Sequence, residues 1–284
     1  MDILFLCTGN TCRSPMAAAL FAMLCAGRGL DCSISSAGIA AWPSPAEPNA
    51  VVAAAELGAD IACHRSRQVT PALPGQADFV ICMGAGHARR IAGLVPREKI
   101  RVLAGGVADP YGGDLETYRE CARQIDRALP ALLPDIFCQA VVIPTQEAHL
   151  PDLVRLERLC FSPPASEARL KEKLALDHNY MYTAFADNEA AGFVGVDEIA
   201  GEAFVDDLAV FPGYRRKGIA SALLARAETG AMLRGCEKIH LECRESNAAA
   251  LALYEARGYR RVGRRKGYYE NPKEDAILMT MEVN

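Results

Sequence analysis

The hydrophobic pattern of this chain changes rhythm near its middle. Up to about residue 138, short apolar runs near 3–6, 33–36, 78–82 and 100–103 alternate with stretches of helical spacing near 15–26, 47–57, 86–93 and 114–132. Short apolar runs separated by helical patterns predict a parallel sheet wrapped by helices. The helical pattern stops around Leu133-Pro134-Asp135, and Val141-Val142-Ile143 opens a new strand-like run. Beyond it, helical stretches over 146–160 and 166–176 precede strand-like runs near 180–186, 191–197 and 203–210. A helix over 217–234, a strand over 238–243, a helix over 247–257 and two final strands follow. That order is mixed α+β rather than repeated βα units. The pattern predicts a two-domain chain, α/β over 1–138 and α+β over 139–284, joined by a short linker, and 284 residues suit two domains.

Composition narrows the classes without choosing one. With 51% hydrophobic and 23% charged residues the chain is ordinary globular stock. The net charge of −4 is spread over both halves, with 12 basic against 13 acidic residues up to 138 and 19 against 22 beyond it. Neither half is expected to bind nucleic acid directly. No apolar run approaches the roughly 20 residues that span a bilayer, and the Met1-Asp2 start lacks a signal-peptide pattern. No membrane partner is expected. Eleven cysteines, an odd number without paired spacing or a Cys-x-x-Cys motif, point to a reducing cytoplasm and to no bound metal.

The first candidate chemistry follows the first strand. Residues 7–15 read Cys-Thr-Gly-Asn-Thr-Cys-Arg-Ser-Pro, with Pro15 opening a helical pattern. A cysteine after a strand is by itself more often packing than catalysis. Here the backbone amides of Thr8, Gly9, Asn10, Thr11, Cys12, Arg13 and Ser14 can turn toward one anion. The helix start adds partial positive charge, and Arg13 adds a planar bidentate donor. These effects favour thiolate at Cys7, and thiolate is the nucleophile. The Gly-Lys-Ser/Thr ending of a nucleotide P-loop is missing. A poor leaving group also needs a proton donor. Asp109, held out of helix by Pro110, is a candidate, although Asp-Pro alone reads as a turn.

Residues 1 to about 137 resemble the low-molecular-weight protein phosphatases. The resemblance rests on the Cys7 loop, Ser36-Ala37-Gly38, Pro43, Pro45 and Pro48, His64-Arg65-Ser66-Arg67 and Asp109-Pro110-Tyr111-Gly112-Gly113, in the family's order. It implies Cys7 as nucleophile, Arg13 as phosphate clamp, Ser14 as hydrogen-bond donor to the thiolate and Asp109 as general acid. The tyrosine phosphatases of the family usually carry a bulky aliphatic residue where this chain has Thr11, and the arginine phosphatases carry Thr. The resemblance therefore implies phosphoarginine in proteins as substrate, with phosphotyrosine as the alternative. Tyr111 stands where the arginine-specific pattern has Phe, and Trp42 and Tyr111 are expected to wall the substrate. Similar arsenate reductases use further cysteines downstream, and only Cys82 lies in that region. Cys12 is either a buried loop residue or a redox partner of Cys7.

In the second half, Leu208 to Ala220 carries Arg215-Arg216-Lys217-Gly218-Ile219-Ala220, where a strand ends and a helix begins. Gly218 and Ala220 keep the surface low, so amides 216–220 can approach a pyrophosphate at the helix start. Alone, this pattern is more often a tight loop with solvated basic residues. Leu241-Glu242-Cys243-Arg244, Asn247, Leu253 to Tyr259, Tyr268-Tyr269 and Glu274-Asp275-Ala276 follow in order. Together they make residues 140 to the end resemble the GCN5-related (GNAT) N-acetyltransferases, of the RimI type that acetylates the amino-terminal alanine of a ribosomal protein. The resemblance implies acetyl-CoA as co-substrate, amides 216–220 and Asn247 at the coenzyme, and Val210 beside its pantetheine. It implies Glu242 as base, Tyr254 as acid toward the departing thiolate, and Tyr268 and Tyr269 at the peptide entry. Without it, Glu242 is an exposed strand charge and Tyr254 a core aromatic. Phe161-Ser162-Pro163-Pro164 lacks the family's Trp. The basic run Arg257 to Lys266 is a solvated face or a contact for an acidic partner.

The expectation is thus a two-enzyme chain acting on phosphorylated proteins and on the N-terminus of a ribosomal protein. Two alternatives stay open: a lysine or small amine as the acetyl acceptor and, as a different class of function, one half serving the other as a non-catalytic binding module.

Overall fold

A computed structural model describes residues 1–283. The chain forms two compact units, Met1–Leu132 and Leu133–Val283.

In the first unit, strands β1 (Asp2–Cys7), β2 (Ser33–Gly38), β3 (Phe79–Cys82) and β4 (Ile100–Val102) form a parallel sheet in the order β2-β1-β3-β4. Ile3, Leu4, Phe5 and Leu6 are buried on both faces of β1, as their unbroken apolar run requires. Helices α1 (Arg13–Ala26), α2 (Pro48–Glu56), α3 (Ala72–Gln76), α4 (Ala85–Ile91) and α5 (Leu115–Ala128) surround the sheet in sequence. Met16, Leu20 and Phe21 of α1 face inward, and Phe21 meets Phe5 edge to face at 5.6 Å. Asp114 caps α5 by accepting from the Thr117 amide at 2.9 Å, satisfying one of the amides that the first turn leaves without a partner. The strand order reverses between β1 and β3, so the carboxyl end of β1 opens into a crevice where such sheets bind ligands.

The helix predicted over 114–132 stops at Ala128 and tightens into a 3₁₀ turn over Leu129–Leu132. Pro130 cannot donate to the residue four before it. The pattern also missed α3, a five-residue helix that contains Pro74 and Gly75.

In the second unit come α6 (Leu133–Ile136), β5 (Val141–Pro144), α7 (Leu150–Cys160), α8 (Glu167–Ala175), β6 (Asn179–Ala186), β7 (Glu189–Ile199) and β8 (Glu202–Val210). They are followed by α9 (Ile219–Arg234), β9 (Lys238–Arg244), α10 (Ala248–Arg257), β10 (Arg260–Tyr269) and β11 (Glu274–Glu282). The sheet order is β10-β11-β9-β8-β7-β6-β5, antiparallel except for β8 beside β9. That parallel pair matches only Glu202–Val205 to Lys238–Leu241. Beyond Val205 and Leu241 the two strands part, leaving one edge of residues 206–210 unpaired. The split positions the second site.

Two packing features frame the split. Leu150, Leu153 and Leu156 of α7 pack with Leu170, Met181 and Phe193 on one side of it. On the helix side, Arg257 of α10 holds Glu228 of α9 at 2.5 Å and Ser221 at 3.0 Å, with all three buried. Deleting one member of such a pair strands a buried charge and costs about 3–5 kcal/mol.

Candidate active sites

β1 delivers Cys7 to the crevice, and the next seven residues fold back over its sulfur. The Asn10 amide donates to Cys7 Sγ at 3.2 Å, and Ser14 Oγ lies 3.0 Å from the same atom. Asn10 is the hinge of the loop, with a left-handed φ of 56°. Its side-chain amide donates to Ser14 Oγ and to Ser36 Oγ, each at 2.9 Å, and its Oδ1 accepts from the Arg67 amide at 3.0 Å. His64 Nε2 meets its carbonyl oxygen at 2.7 Å. Four partners from three segments therefore hold one strained residue, which keeps the loop amides aimed at a common point. Gly38 lets β2 run beneath: a Cβ there would come within 2.8 Å of Ala41 and 3.0 Å of the Asn10 amide.

Arg13, buried at the start of α1, donates to the Val107 carbonyl at 3.1 Å and pairs with Asp109. A cavity of about 450 Å³ is lined by Cys7, Thr11, Arg13, Trp42, Asp109 and Tyr111 among others. The predicted nucleophile, clamp, acid and walls are thus brought together. Trp42 and Tyr111 are 84% and 71% exposed, flat surfaces at the mouth rather than parts of the core. Cys12 leans toward Tyr118 Oη at 3.6 Å, and burial pushes its thiol pKa up; Cys7 and Cys12 are both free thiols.

Sequence reasoning gave no role to three neighbours. Glu47 lines the cavity, and Tyr118 backs Cys12 from α5. His87 Nε2 lies 3.1 Å from Thr8 Oγ1 within the loop. Burial, then the charge of Arg13, lowers the His87 pKa, so the ring is neutral near pH 7. No spacing signal links His87 to a loop 79 residues away.

The second site is assembled differently. After β8 a 3₁₀ turn over Pro212–Tyr214 leads to Arg216 and Gly218, with left-handed φ values of 64° and 82°, and α9 begins at Ile219. This moves the predicted helix start from 217 to 219. Amides 216–220 have no backbone acceptor recorded among the described residues. Ahead of a sixteen-residue helix they form an anion-binding end. Arg215 points elsewhere: its Nε donates to the Val210 carbonyl at 3.1 Å and its Nη2 reaches Cys160 Sγ. Lys217 Nζ lies over the Tyr214 ring at 5.2 Å. Val210 is buried at the end of β8.

Where β8 and β9 part lies a cavity of about 470 Å³, lined by Asp206 and Leu208 on one strand and Glu242 and Cys243 on the other, with Asn247, Tyr254, Tyr268 and Tyr269. Glu242 is paired with Arg265 at 2.9 Å, and Arg265 covers the Tyr268 ring at 4.7 Å. Tyr254 is buried, and burial pushes its phenol pKa up, so it stays a proton donor through the neutral range. Asn247 has a structural task as well, capping α10 by accepting from the Ala250 amide at 3.2 Å. Val210, at the end of β8, and residues 215–220, the loop and first residues of α9, do not line this cavity. Sequence reasoning missed Arg265 as the partner of Glu242, and Asp206, whose carboxyl pKa is raised by desolvation and by its shared hydrogen bond with Asp197. The basic run is largely matched: Arg261 pairs with Glu255, Arg264 with Glu245 and Asp275.

Among the described residues no cluster of three or more His, Cys, Asp or Glu side chains is placed to hold a metal ion, and no helix is long and apolar enough to cross a membrane.

A parallel sheet with an anion-binding cysteine loop at its switch point defines a protein phosphatase of the small α/β class. A split mixed sheet with free amides heading the next helix defines an acyl-CoA-type N-acyltransferase. The chain belongs to both corresponding families: residues 2–142 match the low molecular weight phosphotyrosine protein phosphatases and residues 150–259 the GNAT acetyltransferases. The first part is 37% identical over 142 residues to a protein-arginine-phosphatase of Bacillus subtilis, covering 46% of this chain and 94% of that one. It is 35% identical to a low molecular weight protein-tyrosine-phosphatase of Streptomyces coelicolor, covering 46% and 90%. The second part is 32% identical over 144 residues to the ribosomal protein bS18 alanine N-acetyltransferase of Escherichia coli, covering 49% and 95%. The protein is a fusion of a protein phosphatase and an N-acetyltransferase.

Proposed function

We propose that the first domain removes phosphate from arginine side chains of proteins and that the second acetylates the N-terminal alanine of a ribosomal protein, both in the cytoplasm. The observation that carries the phosphatase reading is the loop itself, with Cys7 Sγ held by the Asn10 amide and Ser14 Oγ and facing Arg13 and Asp109 in one cavity. Cys7 Sγ attacks phosphorus, an S–P bond forms and the P–N bond breaks, and Asp109 gives its proton to the departing nitrogen. Water then attacks phosphorus, yields its proton to Asp109 and releases phosphate and the thiolate. Arg13 and the loop amides bind the phosphoryl oxygens throughout.

Thr11 on the cavity wall supports phosphoarginine, because a small hydroxyl leaves room and a polar partner for a guanidinium. Trp42 and Tyr111 favour the second reading, phosphotyrosine, by offering flat faces to a phenol. Rates on phosphoarginine and phosphotyrosine peptides, for wild type and Thr11→Ile, decide between them. The proposal expects phosphoarginine preference that Thr11→Ile reverses; a wild type preferring phosphotyrosine would sink it.

For the second domain, the free amides 216–220 at the start of α9 suit a pyrophosphate, and the unpaired edge of β8 suits an extended amide-bearing arm. Acetyl-CoA, as co-substrate, supplies an activated acetyl group. Glu242 takes a proton from the acceptor amine, whose pKa near roughly 8 leaves it part protonated at neutral pH. Tyr254 gives its proton to the departing thiolate. Mass spectrometry of Ala-initiated ribosomal-protein peptides against lysine peptides checks the acceptor. Acetylation of lysine alone would contradict the N-terminal assignment.

A further inference from the structure

The coenzyme loop is touched by a segment that lies inside the 2–142 match to the phosphatase family and outside the 150–259 match to the acetyltransferase family, yet packs in the second compact unit. Helix α6 packs along α9 within the second unit. The carbonyl of Pro134 lies against Gly218 so closely that a Cβ on that glycine would collide with it. Four residues on, Cys138 Sγ donates to the Lys217 carbonyl at 3.5 Å. Asp135 and Ile136 are buried, and Asp135 lies in the field of Arg257, the side chain that also holds Ser221 in the first turn of α9. Residues 133–138 therefore meet the loop at 217 and at 218, and reach the first turn of α9 only through the charge of Arg257.

The loop has reason to need support. Arg216 is a non-glycine residue at a φ of 64°, a strained conformation that its surroundings must hold. No side chain caps the start of α9. A loop that leaves amides 216–220 for a ligand forgoes the bonds that would otherwise hold its shape.

We propose that residues 133–138 are a brace for the coenzyme loop, presetting amides 216–220 for the pyrophosphate of acetyl-CoA. The brace rests on the coenzyme reading of that loop. It makes a stretch near the end of the phosphatase match, just before β5, a working part of the acetyltransferase site. Gly218 then answers two demands, a left-handed backbone and room for the Pro134 carbonyl.

The test keeps the full chain and replaces Leu133–Cys138 with a Gly-Ser stretch of equal length. Coenzyme A affinity is measured by calorimetry and amide exchange is followed at 216–220. The brace predicts a Kd raised about fivefold to tenfold, the order expected for loop ordering shifted onto binding. It also predicts faster exchange at those amides, and a kcat for acetyl transfer at saturating acetyl-CoA within about twofold of wild type. Unchanged Kd and exchange overturn the brace and leave the coenzyme reading standing. Failure of the unaltered, folded chain to bind coenzyme A overturns both. If the replaced chain does not fold, the milder pair Asp135→Asn with Cys138→Ala carries the same measurements. Faster exchange at 216–220 with weaker binding supports the brace, and neither change overturns it.

Discussion

The two sites of this chain are built in opposite ways. In the phosphatase unit, eight consecutive residues from Cys7 to Ser14 supply the thiol, the amides and the cation, and the Ser36 and His64 side chains with the Arg67 backbone amide hold Asn10 in place. In the acetyltransferase unit the cavity takes Asp206 from β8, Glu242 from β9, Tyr254 from α10 and Tyr268 from β10, while the anion-binding amides stand apart ahead of α9. A contiguous loop concentrates function, so single changes are expected to abolish activity. A dispersed site divides the work, and single changes should slow it by degrees.

The largest expected effect is at Cys7. A serine hydroxyl is scarcely ionised at neutral pH, so Cys7→Ser should lower phosphatase turnover by at least about 10³-fold. Acetyl transfer should be untouched, and loss of both activities in a folded chain would break the independence on which the contrast rests. Next comes Asp109→Asn, which keeps the shape and removes the proton donor. It should cost on the order of 10²–10⁴-fold, most of all on substrates with poor leaving groups. Equal losses on good and poor leaving groups would remove Asp109 from the acid role.

Tyr254→Phe tests the dispersed site. The cavity and packing survive the loss of one hydroxyl, so acetyl transfer should slow by about 10²-fold with acetyl-CoA affinity unchanged. The raised phenol pKa also means that the wild-type rate should show no alkaline fall from this group below about pH 10. An unaltered rate in Tyr254→Phe would leave it as packing against Tyr259, which it meets at 5.9 Å.

The same contrast explains what could be read from the chain. The Cys7 loop was legible because its chemistry is spelled in order, and the alternation of apolar runs and helices carried the parallel sheet. The acetyltransferase resemblance named Glu242, Asn247, Tyr254, Tyr268 and Tyr269, which all line the second cavity although its members are up to some sixty residues apart. Helix ends failed where a single residue decided them, Pro130 after α5 and Gly218 before α9. Side-chain partners failed more generally. Arg265 reads as one charge in a basic run, and only the pairing of β10 through β11 to β9 brings it to Glu242. Likewise, nothing in the sequence places His87 beside Thr8.

His87 offers the smallest and most selective test, because it is the distant contact that meets Thr8 rather than Asn10. Its folded pKa lies below the unfolded value of about 6.5, through burial first and the Arg13 charge second. The unfolded chain therefore takes up a proton at a pH where the folded ring still resists it. Stability of the phosphatase unit should be full above about pH 6.5, and should fall as pH drops from there toward the folded pKa. In His87→Gln the side-chain amide can keep a bond to Thr8 Oγ1 without titrating, so that segment of the pH profile should flatten. Phosphatase turnover should change by less than about tenfold, the order of one neutral hydrogen bond. Urea unfolding followed by amide exchange in β1 and β3 at pH 5, 6 and 7.5 measures the slope directly. An identical acid slope in both proteins would mean that His87 is not the titrating group, and that the loop depends on its own residues even more completely than the contrast supposes.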